Sequence, residues 1–380
     1  MTPERVREPK PAAVLHLGTE PGWRGGEAQA LFLAQGLRQR GRRSVVAAPP
    51  GSALLLRAAE AGIETAPFRA RGEWDLAAGS RLARLAQELS AAIVHAHTAH
   101  AAGLCLLARP FGLAARVVAA RRVSFPLRPP VLGRLKYSYG VDRVVAVSEA
   151  IRRSLLAQGV PAGQVVTVHS GIDAARFAAG RREPARSDLI REGAFPADAF
   201  LVGTVGHLAA HKGIDRFLEA ASILATSLPA ARFVIVGEGK EEAALAERAR
   251  RLGIDGRVLF TGFRRDLPDL YAAFDLFALA SLSGEGSPAV LKEAMAAGVP
   301  VVATRLDGVE EIIEDARHGL LPPPGDAAAL ARSLERLAAD APLRARLVEA
   351  GRRRAAEFSI ERMVERTEAV YTSLGAEAPR

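Results

Sequence analysis

Short apolar runs alternate with longer amphipathic patterns along this chain, and the alternation lapses once, near the middle. Residues 12–17, 44–48, 92–95, 117–119, 143–147 and 165–168 read as buried strands, with helical patterns such as 27–40, 76–89 and 149–157 between them. Strands apolar on both faces and separated by helices imply a parallel sheet covered on both sides. From 174 to 200 the pattern gives way to Gly180-Arg181-Arg182-Glu183-Pro184, then Arg186, Gly193 and Pro196, which reads as a linker or irregular crossing. A second series follows, with strands at 201–206, 232–237, 258–261, 275–279, 299–303 and 319–321 and helices at 213–228, 241–252, 288–297 and 326–338. The expectation is an α/β chain of two Rossmann-like, doubly wound parallel-sheet domains facing a central cleft. The expected boundaries are a tail at 1–11, a first domain at 12–178, a linker at 179–200 and a second domain at 201–358.

A length of 380 residues suits two ordinary domains, and 49% hydrophobic with 24% charged residues suits a soluble globular protein with ample core. The single cysteine, Cys105, excludes an internal disulfide, fits a reducing compartment and lies in an apolar run that reads as core. The polar, Pro-rich start does not read as a signal peptide, and no apolar stretch approaches the roughly 20 residues needed to span a bilayer. Lysine occurs only at positions 10, 136, 212, 240 and 292, so arginine carries most of the net charge of +9. The charge is uneven. From Leu89 to Val141 there is no acidic residue, but Arg109, Arg116, Arg121, Arg122, Arg128, Arg134 and Lys136 occur among apolar residues. Such a surface attracts anionic headgroups or a polyanionic acceptor. Nucleic acid is the poorer reading, because Pro126, Pro129 and Pro130 break the segment and no recognition motif accompanies it.

Glu285 and Glu293 stand with seven residues between them. A Gly-bearing loop leads into Ser287-Pro288, with Ser as the expected N-cap and Pro as the first helical residue. The helix stops at Gly298. Glu285 then falls just before the helix and Glu293 in its second turn, and both carboxylates can face one cleft with the positive helix end between them. That suits a ligand with hydroxyls at two places and phosphate in the middle, as in a nucleotide-sugar; the plain alternative is a charged surface helix with one loop Glu. Lys212 follows the first strand of the second series and is well placed for a diphosphate, against the plainer reading of a solvated loop lysine. Gly25 and Gly26, between the first strand and its helix, let a backbone approach a ligand closely. Their spacing is neither a dinucleotide fingerprint nor a Walker loop. His95 and His97 alternate onto one strand face. A metal would want a third ligand with carboxylate support, and His100 does not obviously provide one, so a catalytic or sugar-contacting histidine is the better reading. Phe263 and Arg264 lie in a turn that could hold a base.

Taken in order, these segments resemble the retaining GT-B glycosyltransferases of the GT4 type, the group 1 family, over nearly the whole chain. The resemblance rests on Gly25-Gly26, His97, Val145-Ala146-Val147-Ser148, His169-Ser170-Gly171-Ile172-Asp173, Gly206 with Lys212-Gly213, Thr261-Gly262-Phe263, Glu285 with Glu293, and Gly319-Leu320-Leu321-Pro322-Pro323. It implies that 12–178 is an acceptor domain and 201–358 a nucleotide-sugar-binding domain, with a helix in 359–380 crossing back to the first domain. It also implies roles. His97, Lys212 and Glu285 would serve catalysis. Gly25, Gly26, His207, Lys212, Phe263, Arg264, Glu285, Gly286, Ser287, Pro288 and Glu293 would hold the donor, with Lys212 on the diphosphate, Glu285 on sugar hydroxyls and Glu293 on the ribose. Arg121, Arg122, Arg128, Arg134 and Lys136 would form an acceptor or membrane surface. Two departures stand out: His207 replaces the arginine usual before the lysine, and Ser170-Gly171 replaces Asn-Gly.

The expected activity is transfer of a sugar from a nucleotide-sugar to an acceptor hydroxyl with retention, in lipopolysaccharide, polysaccharide or glycolipid synthesis. No metal or other cofactor is expected. The expected partners are the donor, a glycan or lipid-linked acceptor and an anionic membrane surface, with no nucleic acid, and the expected location is cytoplasmic or peripheral on the inner membrane face. Two alternatives stay open: a nucleotide-sugar epimerase on the same fold, and a catalytically silent glycan- or partner-binding protein.

Overall fold

A computed structural model describes residues 12–127 and 129–376, so Arg128 and the tail at 1–11 lie outside the described residues. The chain forms two compact units. The first takes the chain up to Ser170 together with the segment from Ile360 onward, and the second is Gly171–Ser359.

In the first unit, β1 (Ala13–Leu17), β2 (Ser44–Ala48), β3 (Glu64–Pro67), β4 (Ala91–Ala96), β5 (Arg116–Arg121), β6 (Arg143–Ala146) and β7 (Val165–Thr167) form one parallel sheet. Its order is β3-β2-β1-β4-β5-β6-β7. Alternate residues enter different cores. Leu15, Leu17, Val94 and Ala96 pack with Leu82 and the wholly buried Cys105, whereas Val14 and Ile93 pack with Leu33, Leu37, Val364 and Tyr371. The helix Ile360–Ser373 thus completes this unit, alongside the helix Gly25–Gln39. Arg42 ties it down by pairing with Glu368 at 2.6 Å.

In the second unit, β8 (Phe200–Val205), β9 (Ala231–Val236), β10 (Val258–Phe260), β11 (Leu276–Leu279) and β12 (Val301–Ala303) form a parallel sheet ordered β10-β9-β8-β11-β12. Both sheets reverse their winding direction once, between β1 and β4 and between β8 and β11. In doubly wound sheets, ligands bind beyond the carboxyl ends of such a pair of strands.

Several expectations are corrected. The first unit ends at Ser170 rather than at 178. Residues 179–200 are not a linker: the helix Arg182–Glu192 belongs to the second unit and packs against the helix Leu267–Ala273. Pro184 sits in its first turn, where a missing N–H costs nothing. Its arginines are anchored, Arg181 to Asp269 at 2.8 Å and Arg182 and Arg186 to Asp275 at 2.6 and 3.0 Å. The stretch 319–321 contributes a bridge from Val302 to Leu320 rather than a strand.

Candidate active site

Each switch point carries a cluster of polar side chains. In the second unit, β8 leads through a 3-10 turn, Ala210–Lys212, to Gly213, whose φ of 62° and closeness to the Ala280 carbonyl oxygen leave no room for a Cβ. This turn is hydrogen-bonded to the segment after β11, with Leu282 N donating to His211 O at 2.8 Å. Lys212 therefore points at the loop that follows β11. Its Nζ meets Glu285 Oε1 at 2.6 Å, and the Ser281 hydroxyl donates to the same oxygen at 2.5 Å. Glu285 is only 7% exposed, so this pairing is what makes its burial tolerable. Lys212 and Glu285, picked from the sequence on separate grounds, are thus in direct contact across β8 and β11.

The helix Ala289–Ala297 begins one residue later than expected. Pro288 is its N-cap, and no side chain caps its first N–H groups. Ser287 does not cap it, because its Oγ instead accepts from Lys292 Nζ at 2.7 Å. Lys292 is fully buried beneath the loop, 4.5 Å from the Phe358 ring centre, and burial pushes its amine down to about 7. From the other side, Gly308 presses so closely on the Glu285 and Gly286 carbonyl oxygens that a Cβ there would collide with both. Glu293, in the helix's second turn, accepts from the buried Tyr271 hydroxyl at 3.0 Å. Burial pushes its carboxyl up to about 7, against the opposing pull of that hydrogen bond.

The other donor-site expectations fare unevenly. His207 is exposed after β8. Phe263 is 47% exposed, as a ring offered to a ligand would be. Arg264 is held by carboxylates, pairing with Asp266 at 2.7 Å and with Glu192 at 3.1 Å.

In the first unit, Gly25 and Gly26 open the helix Gly25–Gln39, and Glu27 reaches back to accept from Arg24 N at 2.9 Å. A Cβ at Gly25 would meet open space, whereas one at Gly26 would touch the Arg122 side chain. His97 follows β4, and its backbone N–H donates to Leu17 O at 2.9 Å. Beside it lie His16 from β1 and His95 from β4, all three buried. The third histidine missing from the sequence reading is therefore His16; His100 is exposed near Glu20. The rings lie within 27° of parallel, with centres 4.2–6.2 Å apart. Ring lone pairs in near-parallel planes converge poorly on one ion, and the Arg122 guanidinium approaches His97 Nδ1 at 3.4 Å, which opposes a cation there.

Three of the expected surface cations are placed elsewhere. Arg121 is 8% exposed and donates to the Phe125 carbonyl under the loop it precedes. Lys136 is 5% exposed and paired with Glu73. Arg122 belongs to the histidine cluster, where burial pushes its guanidinium down to about 10. Arg134 is exposed. In the same stretch of sequence, Val123, Phe125, Val131, Leu132, Leu135 and Tyr139 are also exposed.

Residues 23–176 match the model for Glycosyltransferase Family 4, and residues 185–354 match the model for Glycosyl transferases group 1. The chain belongs to the group 1 glycosyltransferases. It is 38% identical over 156 residues to the lipopolysaccharide core biosynthesis glycosyltransferase LpsE of Rhizobium meliloti, covering 41% of this chain and 44% of that one. It is 35% identical over 263 residues to the D-inositol 3-phosphate glycosyltransferase of Salinispora tropica, covering 65% and 54%. The chain thus spans about half the length of these relatives. A crystal structure of Anabaena HepE in complex with UDP and glucose superposes with a TM-score of 0.85 at 23% identity, covering 95% of this chain and 100% of that one. That likeness places the fold in the GT-B class. In this member of the family, the Lys212–Glu285 contact occupies one switch point, and the histidine cluster occupies the other.

Proposed function

We propose that this protein transfers a sugar from a nucleotide-sugar to an acceptor hydroxyl with retained anomeric configuration, without a metal. The observation that carries this is the Lys212–Glu285 contact at the carboxyl ends of β8 and β11, beside a helix whose first N–H groups no side chain caps. As the glycosidic bond breaks, negative charge grows on the leaving diphosphate. Lys212 and those N–H groups stabilise it, and donor binding draws Lys212 from Glu285 to the phosphates. Glu285, still held by Ser281, then accepts from sugar hydroxyls, and Glu293 accepts from the ribose. No side chain here stands ready as a nucleophile, which suits same-face attack assisted by the leaving phosphate.

The acceptor is membrane-linked on this reading, with lipopolysaccharide or glycolipid synthesis as the setting and the inner face of the cytoplasmic membrane as the location. The support is the acid-free stretch with Arg134 among exposed apolar side chains, and LpsE among the relatives. No helix among the described residues is long and apolar enough to cross a membrane.

Saturation-transfer NMR against UDP-, GDP- and ADP-sugars tests the donor site. One donor should bind, and Glu293→Ala should abolish that binding. Binding that survives Glu293→Ala would place the donor elsewhere. Conversion of a donor to its epimer without release of nucleoside diphosphate would favour an epimerase instead.

A further inference from the structure

The histidine cluster contains a directional hydrogen-bond chain. A guanidinium has only donors, so where Arg122 Nη2 faces His97 Nδ1 at 3.4 Å, that nitrogen must accept. A neutral imidazole carries one N–H, which in His97 is then on Nε2. His97 Nε2 lies 3.0 Å from His16 Nδ1 and donates to it. His16 in turn carries its proton on Nε2, which has no partner among the described residues. The His97 ring is also clamped: His95 stacks on it with centres 4.2 Å apart and planes 17° apart, and His95 Nδ1 is itself held by the Tyr371 hydroxyl at 2.5 Å. Among the described residues, the carboxylate whose charge acts on Arg122 is Glu27.

We infer that His16 is a positioning residue that locks His97 in its Nε2–H tautomer. The geometry assigns His97 the bare Nδ1, behind a long contact with Arg122, as the nitrogen it can offer. If the transferase reading holds, the consequence is chemical. A sugar hydroxyl donates to His97 Nδ1 in place of Arg122, and His97 works as a neutral hydrogen-bond acceptor rather than as a proton donor. Burial of all three rings agrees, since desolvation holds each below the usual histidine range.

Heteronuclear NMR of the histidine rings in the full chain, with no donor present, tests the lock. In the wild type His97 should be bare at Nδ1 and carry a slowly exchanging Nε2–H. His16→Asn, whose carbonyl oxygen replaces Nδ1 as acceptor, should keep that protected proton, and His16→Leu should lose it. A wild-type His97 protonated at Nδ1, or at both nitrogens, would overturn the inference, as would a proton equally protected in His16→Leu. If His16→Leu does not fold, the wild-type and Asn spectra decide. Because no donor enters the measurement, failure of the transferase reading would leave these spectra unchanged.

Discussion

Lys212 and Glu285 are held together in the free protein, and each is expected to turn to the donor when it binds. Lys212→Met removes the cation that meets the leaving diphosphate and leaves Glu285 buried with only Ser281. Transfer should fall about 100- to 1,000-fold, the usual cost of losing one charge-stabilising group, as steady-state kinetics would read. Glu293 gives a pH signature. Its carboxyl titrates near 7 in the free protein, and ribose hydroxyls bind best to the ionised form. Donor affinity should therefore rise roughly tenfold from about pH 6 to about pH 8 and then level off. Calorimetric titrations of Glu293→Gln should lack that rise. At this scale the sequence revealed Lys212, Glu285 and Glu293, through spacing and through the rarity of lysine. It did not reveal Ser281 and Tyr271 as partners of the two glutamates, or Arg122 and His16 as partners of His97. Ser281 stands only four residues from Glu285, but Tyr271, Arg122 and His16 gain meaning from more distant neighbours, such as His16 with His97, which only strand order brings together.

Elements with a strong apolar period were legible; those held by charge or by their neighbours were not. The strands of both sheets lay close to the expected runs, whereas β3, Glu-Thr-Ala-Pro, has no apolar run to betray it and exists as an edge beside β2. The helix Arg182–Glu192 reads as polar and irregular because ion pairs to Asp269 and Asp275, not an apolar face alone, hold it in place. The segment around the helix Pro130–Ser138 was legible as basic, but the structure buries Arg121 and Lys136 and exposes apolar residues in their stead. Val131→Ser with Leu135→Ser should therefore weaken sedimentation with anionic vesicles more than Arg134→Gln does. No weakening by the serine pair would mean that charge alone drives the contact. A second element-scale test is Gly308→Ala. Its methyl group would collide with the Glu285 and Gly286 carbonyl oxygens and displace that loop, so transfer should drop while the melting curve stays two-state.

Over the whole molecule, the buried histidines make one unit acid-sensitive. His16 is pushed down to about 3, and His95 and His97 are also well below the usual 6.5. Between those limits the unfolded chain binds more protons than the folded one, so stability falls as pH falls below 6.5. The loss is about 1.4 kcal/mol per pH unit for each histidine. The only two tryptophans, Trp23 and Trp74, both lie in this first unit. Fluorescence melts should therefore move to lower temperature from about pH 7 to about pH 5.5, with a shallower slope in His16→Asn. The two-unit division was visible in the sequence as a lapse in periodicity. The crossing point was not, because the stretch after Ser170 looks irregular until its partners in the second unit are known. The central claim is that a cation at the second switch point drives departure of a nucleoside diphosphate. The most direct measurement follows donor consumption by NMR for UDP-, GDP- and ADP-sugars, with a bacterial membrane lipid extract added to supply acceptor hydroxyls and with wild type and Lys212→Met side by side. The account predicts that one donor is consumed with release of its nucleoside diphosphate and that Lys212→Met nearly stops this. Consumption at the same rate in Lys212→Met, or none with any donor, would contradict it.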